Sequence, residues 1–200
     1  MPILAAMIAQ LTGNFLHKTP TRVIIDTSGV GYEVNISLNT YSAISNLDKG
    51  TLFTHLKVAE DAFTLYGFAE LAEKEIFLKL ISVSGVGAGT ARMMLNSLKP
   101  AEIQQAIASS NIKLLESIKG IGKKTAERIA LELRDKMGSL PMAPNMQTGW
   151  HNTPENEALE ALVALGISKQ VAEQTIRKLN ISPTDALPVE AIIKQALKLL

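Results

Sequence analysis

Two short glycine-bracketed segments carry the residue types best suited to binding a ligand: Gly85-Val86-Gly87 and Gly120-Ile121-Gly122, which begin 35 positions apart. Each follows an apolar stretch of helical periodicity and leads into another helix. Glycine lets the backbone turn tightly and approach a ligand closely. The start of the next helix presents unpaired N–H groups and the positive end of its dipole, which together suit a phosphate. The repetition predicts one supersecondary unit used twice, as a pair of turns that grip a DNA backbone.

The residues around these glycines support a phosphate-binding role. Lys123 and Lys124 stand at a helix start, where positive charge is unfavourable and an anion would relieve it. Lys124 and Arg128 lie four apart on one helix face, so both could reach one backbone. Val86 and Ile121 are expected to anchor each turn in the core. The predicted DNA-binding residues are Gly85, Val86, Gly87, Gly89, Thr90 and Arg92 in the first copy, and Gly120, Ile121, Gly122, Lys123, Lys124, Thr125 and Arg128 in the second.

Two nucleotide-binding loops are excluded by spacing. A P-loop would need glycine at position 117 and a hydroxyl residue after Lys123, where the chain has Ser117 and Lys124. The dinucleotide fingerprint needs a third glycine, and Thr90 and Thr125 stand there. Neither turn follows a predicted strand.

Composition describes a folded protein whose positive charge is concentrated in one region. The 200 residues are 46% hydrophobic and 20% charged, with no cysteine and a net charge of +1. Disulfides and thiolate metal sites are therefore excluded, which suits a reducing cytosol. Residues 68–140, which contain both turns, carry eleven Lys and Arg against eight Asp and Glu, whereas the flanking regions are each −1. The apolar N-terminus lacks a basic leader and is short, so we predict neither a signal peptide nor a membrane span.

The periodicity predicts an α+β, multidomain chain that begins with a β-barrel. Residues 1–68 form short apolar or alternating runs separated by turn residues, with a hairpin at Ser28-Gly29-Val30-Gly31. Five strands favour a small closed barrel of the oligonucleotide/oligosaccharide-binding (OB) fold. The predicted strands are Met7–Leu11, Arg22–Thr27, Tyr32–Leu38, Leu52–Val58 and Phe63–Phe68.

Adjacent acids stand at the tip of the last barrel hairpin. Glu60 and Asp61 interrupt the two strands that they connect. Acids at a turn are most often only solvated. In a DNA-binding protein, however, a projecting negative tip would repel phosphates and could exclude or split strands.

Helical periodicity begins after the barrel and continues to the C-terminus. Residues 69–138 are predicted to form an all-α tandem helix-hairpin-helix domain in which Pro100 starts a helix with Glu102 in its first turn. Residues 139–153, with the lone Trp150, form a predicted flexible linker. Residues 154–200 are predicted to form a three-helix bundle that binds a protein partner, with helices Glu155–Leu165, Lys169–Leu179 and Val189–Leu199. The apolar residues assigned to partner binding are Leu159, Leu162, Leu165 and Ile176.

Catalysis is not supported by the sequence. His17, His55 and His151 are scattered without metal-ligand spacing, and no nucleophile elbow or two-metal carboxylate cluster is present. We therefore predict no catalytic residue, no metal and no cofactor.

The order of these features resembles the RuvA family of bacterial Holliday-junction recognition subunits. The resemblance is carried by Gly29-Val30-Gly31-Tyr32-Glu33-Val34, Glu60-Asp61-Ala62 with Leu65-Tyr66-Gly67-Phe68, and both glycine turns with Lys123 to Arg128. It covers nearly the whole chain.

The resemblance implies a homotetramer that holds a four-way junction open and square, with the paired turns gripping each arm through the minor-groove backbone. It implies that Glu60 and Asp61 form an acidic pin near the crossover. It also implies that residues 154–200 engage RuvB, the hexameric ring ATPase, in DNA recombination, DNA repair and the SOS response to DNA damage. Whether one or two tetramers bind a junction, and whether the endonuclease RuvC joins the complex, stay open.

The chain departs from the family pattern at the first turn and at the start. The family usually continues the first turn with Pro-Lys, whereas this chain has Ala88-Gly89, so Arg92 or backbone groups would have to compensate. Lys119 stands where proline is common. The usual start matches Met7, so residues 1–6 are an extension or reflect an upstream start codon.

Two rival functions remain: a general duplex- or single-strand-binding protein that uses its barrel, and a helix-hairpin-helix lyase or nuclease. The barrel's net negative charge and an aromatic content of 4% disfavour the first. A lyase would need a nucleophilic lysine in a pocket, whereas Lys123 and Lys124 are predicted to be exposed phosphate contacts.

Overall fold

A computed structural model of the protein describes residues 7–137, 154–179 and 187–199. The chain divides into two compact units, Met1–Met142 and Ala143–Leu200. Among the described residues, the first unit contains a β-barrel and six helices, and the second contains three helices. The expectations for residues 1–6, the linker at 139–153, Trp150 and His151 lie outside the described residues.

The N-terminal region is a five-stranded closed barrel, as predicted. Its strands neighbour one another in the order β1-β2-β3-β5-β4, with β3 and β5 parallel and the other described pairs antiparallel. Alternating apolar residues fill the interior, because successive side chains on a strand point to opposite faces. The strands are β1 (Gln10–Thr19), β2 (Arg22–Thr27), β3 (Val30–Ile36), β4 (Lys49–Val58) and β5 (Phe63–Phe68). The core residues are Leu11, Phe15, Val23, Ile25, Val34, Ile36, Ile44, Leu52 and Leu65.

The first strand is longer than predicted: β1 covers Gln10–Thr19 and not Met7–Leu11. It pairs with β4 through its first half and with β2 through its second half, with a register shift between Phe15 and His17. Just before this shift β1 passes close to β2 at Gly13, where a Cβ would lie 2.0 Å from the Asp26 carbonyl oxygen. The second half of β1 was not predicted because it contains polar residues, and the strands were sought as apolar or alternating runs.

A short helix, α1 (Leu38–Ile44), connects β3 to β4 and was missed by sequence reasoning. The predicted third strand ran to Leu38, but Ser37 ends it by capping α1: the Ser37 Oγ accepts a hydrogen bond from the Thr40 amide at 3.0 Å. The helix was not predicted because the Asn, Thr and Ser residues within it have low helix propensity.

Five helices follow the barrel and enclose one apolar core. They are α2 (Leu71–Ile81), α3 (Ala88–Ser97), α4 (Pro100–Ala108), α5 (Ile112–Glu116) and α6 (Lys123–Met137). Pro100 is the first residue of α4, as predicted, and the Glu102 carboxylate accepts from the Lys99 amide at 2.7 Å. The most deeply buried residues of this core include Ile76, Phe77, Leu80, Met94, Leu95, Ile103, Ile107, Leu115, Ile129 and Leu133.

The barrel joins the helical region through several contacts, which include an aromatic one and a polar one. In one, Phe77 of α2 packs on Tyr66 and Phe68 of β5, with ring centroids 5.1 and 4.9 Å apart. The other, called the α1–α3 contact, is polar: the Asn39 side-chain amide donates to the Leu95 carbonyl at 2.6 Å. At the same place the Leu38 amide donates to the Asn96 side chain at 2.9 Å. Barrel and helices therefore share a fixed interface.

The second unit contains α7 (Pro154–Ala164), α8 (Lys169–Lys178) and α9 (Val189–Leu199), which confirms the three predicted helices within a residue or so at their ends. Ser168 caps α8 by accepting from the Val171 amide. Small and apolar side chains close a mini-core, whose buried members are Ala158, Leu162, Ala172, Ile192 and Ala196.

Candidate nucleic-acid interface

The two glycine turns have the same hydrogen-bond pattern, which confirms the predicted duplication. In the first, the Val83 amide donates to Leu80 and the Val86 amide donates to Val83, at 3.1 and 3.0 Å. In the second, the Ile118 amide donates to Leu115 and the Ile121 amide donates to Ile118, at 3.3 and 3.1 Å. Each bond in one turn has its counterpart 35 residues away. The two turns are therefore copies of one helix-hairpin-helix unit.

The leading glycine of each turn has a left-handed backbone. Gly85 has φ +87° and Gly120 has φ +92°, values that a side chain would strain. The apolar residues that follow, Val86 and Ile121, are each 5% exposed and belong to the helical core. The predicted anchoring of the turns in the core is confirmed.

The second glycine of each turn begins a helix and lies exposed. The Gly87 carbonyl accepts from the Ala91 amide at 2.9 Å, and the Gly122 carbonyl accepts from the Ala126 amide at 2.9 Å. No side chain caps the start of α3 at Gly87. A Cβ built at Gly87, Gly89 or Gly122 would meet no atom within 4 Å. Neither internal packing nor a positive φ requires glycine at Gly87 or Gly122, so these positions leave open space at a helix N-terminus.

The second turn is the more basic one. Lys123 and Lys124 are both exposed at the start of α6, and Thr125 is half-buried behind them. Arg128, one turn further on, donates through its guanidinium to the Ser84 carbonyl of the first turn at 3.0 Å. This bond brings the two turns together, so Arg128 links them as well as lying on the same helix face as Lys124.

The cation of the first copy is directed elsewhere. The Arg92 guanidinium donates to the Asn35 side-chain oxygen of β3 at 2.8 Å and to the Thr21 carbonyl at 3.5 Å. Its side chain is half-buried between α3 and the barrel. Gly89 is exposed and Thr90 is half-buried in the first turn of α3. Backbone N–H groups are thus the main polar groups that the first turn offers.

The acidic tip stands on a ribbon of two strands. Glu60 and Asp61 are exposed, and the Ala59 amide donates to the Ala62 carbonyl across the turn at 2.9 Å. β4 pairs with β1 only as far as Phe53, and β5 pairs with β3 only from Leu65 onward. The ribbon therefore extends past the closed part of the barrel, as the sequence predicted for a projecting tip.

A buried carboxyl group lies between α2 and the start of α1, and sequence reasoning missed it. Glu73 of α2 is 2% exposed and accepts hydrogen bonds from the Ser37 hydroxyl and, at 2.6 Å, from the Thr40 hydroxyl. Burial raises its pKa, and the two hydrogen bonds offset only part of that effect. Its spacing of three and four residues from Ile76 and Phe77 was a signal that Glu73 shares the buried helix face.

Among the described histidines, His55 packs beside the aromatic cluster of Phe77. Burial, and secondarily the charge of Lys74, lowers the pKa of His55, whose ring packs on Phe77 with centroids 5.7 Å apart. Within the described residues, no group of three His, Cys, Asp or Glu side chains could hold a metal ion. None of the helices in the described ranges is long and apolar enough to cross a membrane.

The residues assigned to partner binding differ in accessibility. Leu162 is fully buried in the mini-core of the second unit, so its side chain holds the bundle together and does not face a partner. Leu159 and Ile176 are partly buried against the same core. Leu165 is 64% exposed at the end of α7 and is accessible.

Family models match most of the chain. Residues 7–67 match the RuvA N terminal domain, residues 77–135 match the SAM-like helix-hairpin-helix tandem, and residues 153–200 match the RuvA C-terminal domain. The chain belongs to the RuvA family. The resemblance drawn from the glycine turns and the acidic hairpin is thereby confirmed.

Several RuvA relatives align along almost their whole length. The Holliday junction branch migration complex subunit RuvA of Flavobacterium psychrophilum is 49% identical over 192 residues, which is 96% of this chain and 99% of the relative. The proteins of the same name from Christiangramia forsetii and Cytophaga hutchinsonii are 47% and 43% identical, over 96% of this chain and 99% and 100% of their own lengths.

Proposed function

We propose that this protein binds four-way DNA junctions through their sugar–phosphate backbone and acts as the DNA-binding subunit of a branch-migration complex. The observation that carries the proposal is the open space at Gly87 and Gly122. Neither backbone conformation nor internal packing requires glycine there, so a ligand that approaches the helix start accounts for both residues. A phosphate is the group that fits. The names of the relatives, Holliday junction branch migration complex subunit, support this ligand.

Recognition of this kind is independent of sequence. Backbone N–H groups and the exposed Lys123 and Lys124 bind phosphates and leave base edges unread. Arg128 couples the turns by its bond to Ser84, so both engage one duplex arm together. Affinity then depends strongly on salt, because each phosphate contact releases counterions.

Selectivity for the junction comes from the acidic ribbon. Glu60 and Asp61 repel phosphates and therefore occupy the one place in a four-way junction where backbones diverge. Because the barrel carrying them is fixed to α3 through the α1–α3 contact, their distance from the turns is constant. A continuous duplex offers no opening at that distance.

The complete assembly is a homotetramer around an open, square junction. Residues 154–200 engage RuvB, the hexameric ring ATPase, and Leu165 is the accessible apolar residue among those assigned to the contact. RuvB hydrolyses ATP, and this chain binds the DNA without catalytic residues, metal or cofactor. It works in the bacterial cytoplasm, in DNA recombination and repair.

Binding assays with three DNAs test the proposal. Labelled four-way junction, matched duplex and single strand are titrated with the full-length protein, and anisotropy is measured. We expect the junction to bind at least tenfold more tightly than the duplex. Equal affinity for junction and duplex would refute the proposal, and cleaved or covalently trapped DNA would favour a lyase or nuclease.

Removing residues 154–200 tests whether DNA binding and motor binding lie in separate parts of the chain. Deletion is expected to leave junction binding intact and to abolish motor-driven migration, measured as conversion of a labelled junction to products with RuvB and ATP. Migration that survives the deletion would contradict the assignment of these residues to the motor.

A further inference from the structure

The ribbon that carries the acidic tip has an exposed apolar pair just below it. Val58 and Phe63 are register partners and are 64% and 78% exposed. By strand alternation they share a face with Leu56 and Leu65, which point toward the barrel interior. At this height β4 and β5 pair only with each other. The face that fills the barrel further down is thus open at the tip.

Phe63 is unusual among the aromatic residues of this protein. Of the Phe and Tyr side chains in the described residues, only Phe63 is exposed. The others are buried or half-buried, chiefly in the barrel and against Phe77. An exposed Phe buries no area that would stabilise the chain itself. It is the first residue of β5, two positions along the chain from Asp61 in the turn.

We propose that Phe63, with Val58 beside it, is a stacking site for an unpaired DNA base at the junction crossover. The proposal rests on the function proposed above and deepens it by naming what the ribbon binds. Glu60 and Asp61 keep the negatively charged backbone away, so the part of DNA that can approach this face is a neutral base. An aromatic ring offers such a base a sequence-tolerant stacking surface.

The acids complement the stacked base in a second way. Their carboxylates are hydrogen-bond acceptors. An unpaired cytosine, adenine or guanine presents amino groups that have lost their partners and need acceptors. The carboxylates near Phe63 can therefore accept hydrogen bonds from the amino groups of a base, whereas they repel a phosphate. The ribbon thus separates the DNA strands through its acids and binds an unpaired base through Phe63.

Substitution of Phe63 tests this site in the full-length protein. Phe63→Ala is expected to weaken junction binding by about five- to 150-fold, the usual loss when a base-stacking aromatic is truncated. Phe63→Tyr retains an aromatic face and should bind within about twofold of wild type. Val30→Ala, at a 54% exposed apolar position on another hairpin, is the matched control and should bind as wild type does. Duplex affinity should be unchanged in all three.

A photocrosslink locates the base directly. A junction with 5-iodouracil at the crossover should crosslink to the peptide containing Phe63, and one with 5-iodouracil in the middle of an arm should not. Phe63→Ala with wild-type junction affinity would overturn the stacking site alone. The stacking site is likewise overturned if the variant loses duplex and junction affinity equally, or changes the mass of the protein in solution, since Phe63 would then be a subunit contact. Equal affinity of the wild type for junction and duplex would overturn both proposals.

Discussion

Gly122→Ala is the substitution that best separates a ligand-binding glycine from a structural one. Gly122 has no left-handed φ, and an added Cβ would meet no atom of the protein within 4 Å. Alanine is therefore compatible with the fold. Restriction of the unfolded chain should contribute about 0.4–1 kcal/mol of stability, which the poorer capping by alanine before α6 offsets, so the free energy of unfolding should change by less than about 1 kcal/mol. The new methyl group would stand at the start of α6, between the helix amides and an approaching phosphate.

The loss of DNA affinity can be estimated from one contact. Displacing a phosphate from a backbone N–H removes a charge-assisted hydrogen bond, which is worth about 1.5–3 kcal/mol. This corresponds to about a 10- to 150-fold weaker affinity for the junction. Gly120→Ala should behave differently: its φ of +92° makes alanine cost about 1–2 kcal/mol of stability.

The assay measures both quantities on the same samples. Anisotropy with a labelled four-way junction gives the affinity, and urea unfolding followed by far-UV circular dichroism gives stability. Gly31→Ala is the matched control, because its Cβ would make only an ordinary contact of 3.6 Å with Ile24 in the barrel. Wild-type affinity in Gly122→Ala would refute close approach by phosphate. A stability loss of more than about 2 kcal/mol, beyond the capping effect, would show instead that the glycine is required by the fold.

Two further predictions concern charge. Lys123→Ala with Lys124→Ala should weaken binding to all DNAs. It should also reduce the slope of log affinity against log salt concentration by about one for each lysine that contacts a phosphate. Titrations at several salt concentrations measure this slope, and an unchanged slope would contradict the contacts. Burial raises the pKa of Glu73 from 4.5, so the folded state retains its proton to higher pH than the unfolded state does. The free energy of unfolding of wild type relative to Glu73→Gln should accordingly fall as pH rises from 4.5 through the raised pKa and then level off. A difference that stays constant with pH in urea titrations would show that Glu73 does not titrate in this way.

Periodicity and turn chemistry were enough to predict the barrel, the duplicated turns and the three C-terminal helices. Alternation in the strands, Pro100 at a helix start and the 35-residue repeat are local signals, and each corresponds to a described element. The ends of β1 were not predictable in this way, because its second half is a strand only through pairing with β2. The helix α1 was not predicted because its Asn, Thr and Ser residues have low helix propensity and its cap at Ser37 was not recognised.

The roles of charged residues were less predictable than the turns that carry them. Either Arg92 or backbone groups were expected to compensate for the lysine missing from the first turn, and the Arg92 guanidinium bonds to Asn35 of the barrel. Arg128 was expected to reach the DNA backbone, and it also bonds to Ser84. A long side chain can reach several hydrogen-bond acceptors, and the fold determines which of them lie within its reach. Sequence position alone therefore does not specify the partner. Direct contact of either residue with DNA stays a prediction.

The α1–α3 contact has a consequence for how the angle between barrel and helices is maintained. Apolar surfaces attract without much regard to orientation, whereas hydrogen bonds weaken steeply when they are misaligned. Asn39 and Asn96 bond across the boundary in this contact, and Arg92 bonds from α3 to Asn35 of β3 beside it. Apolar replacements at these positions would keep the two regions attached but release their angle. Under the proposed function, these amide and guanidinium hydrogen bonds set the angle at which the acidic tip and the glycine turns meet the DNA.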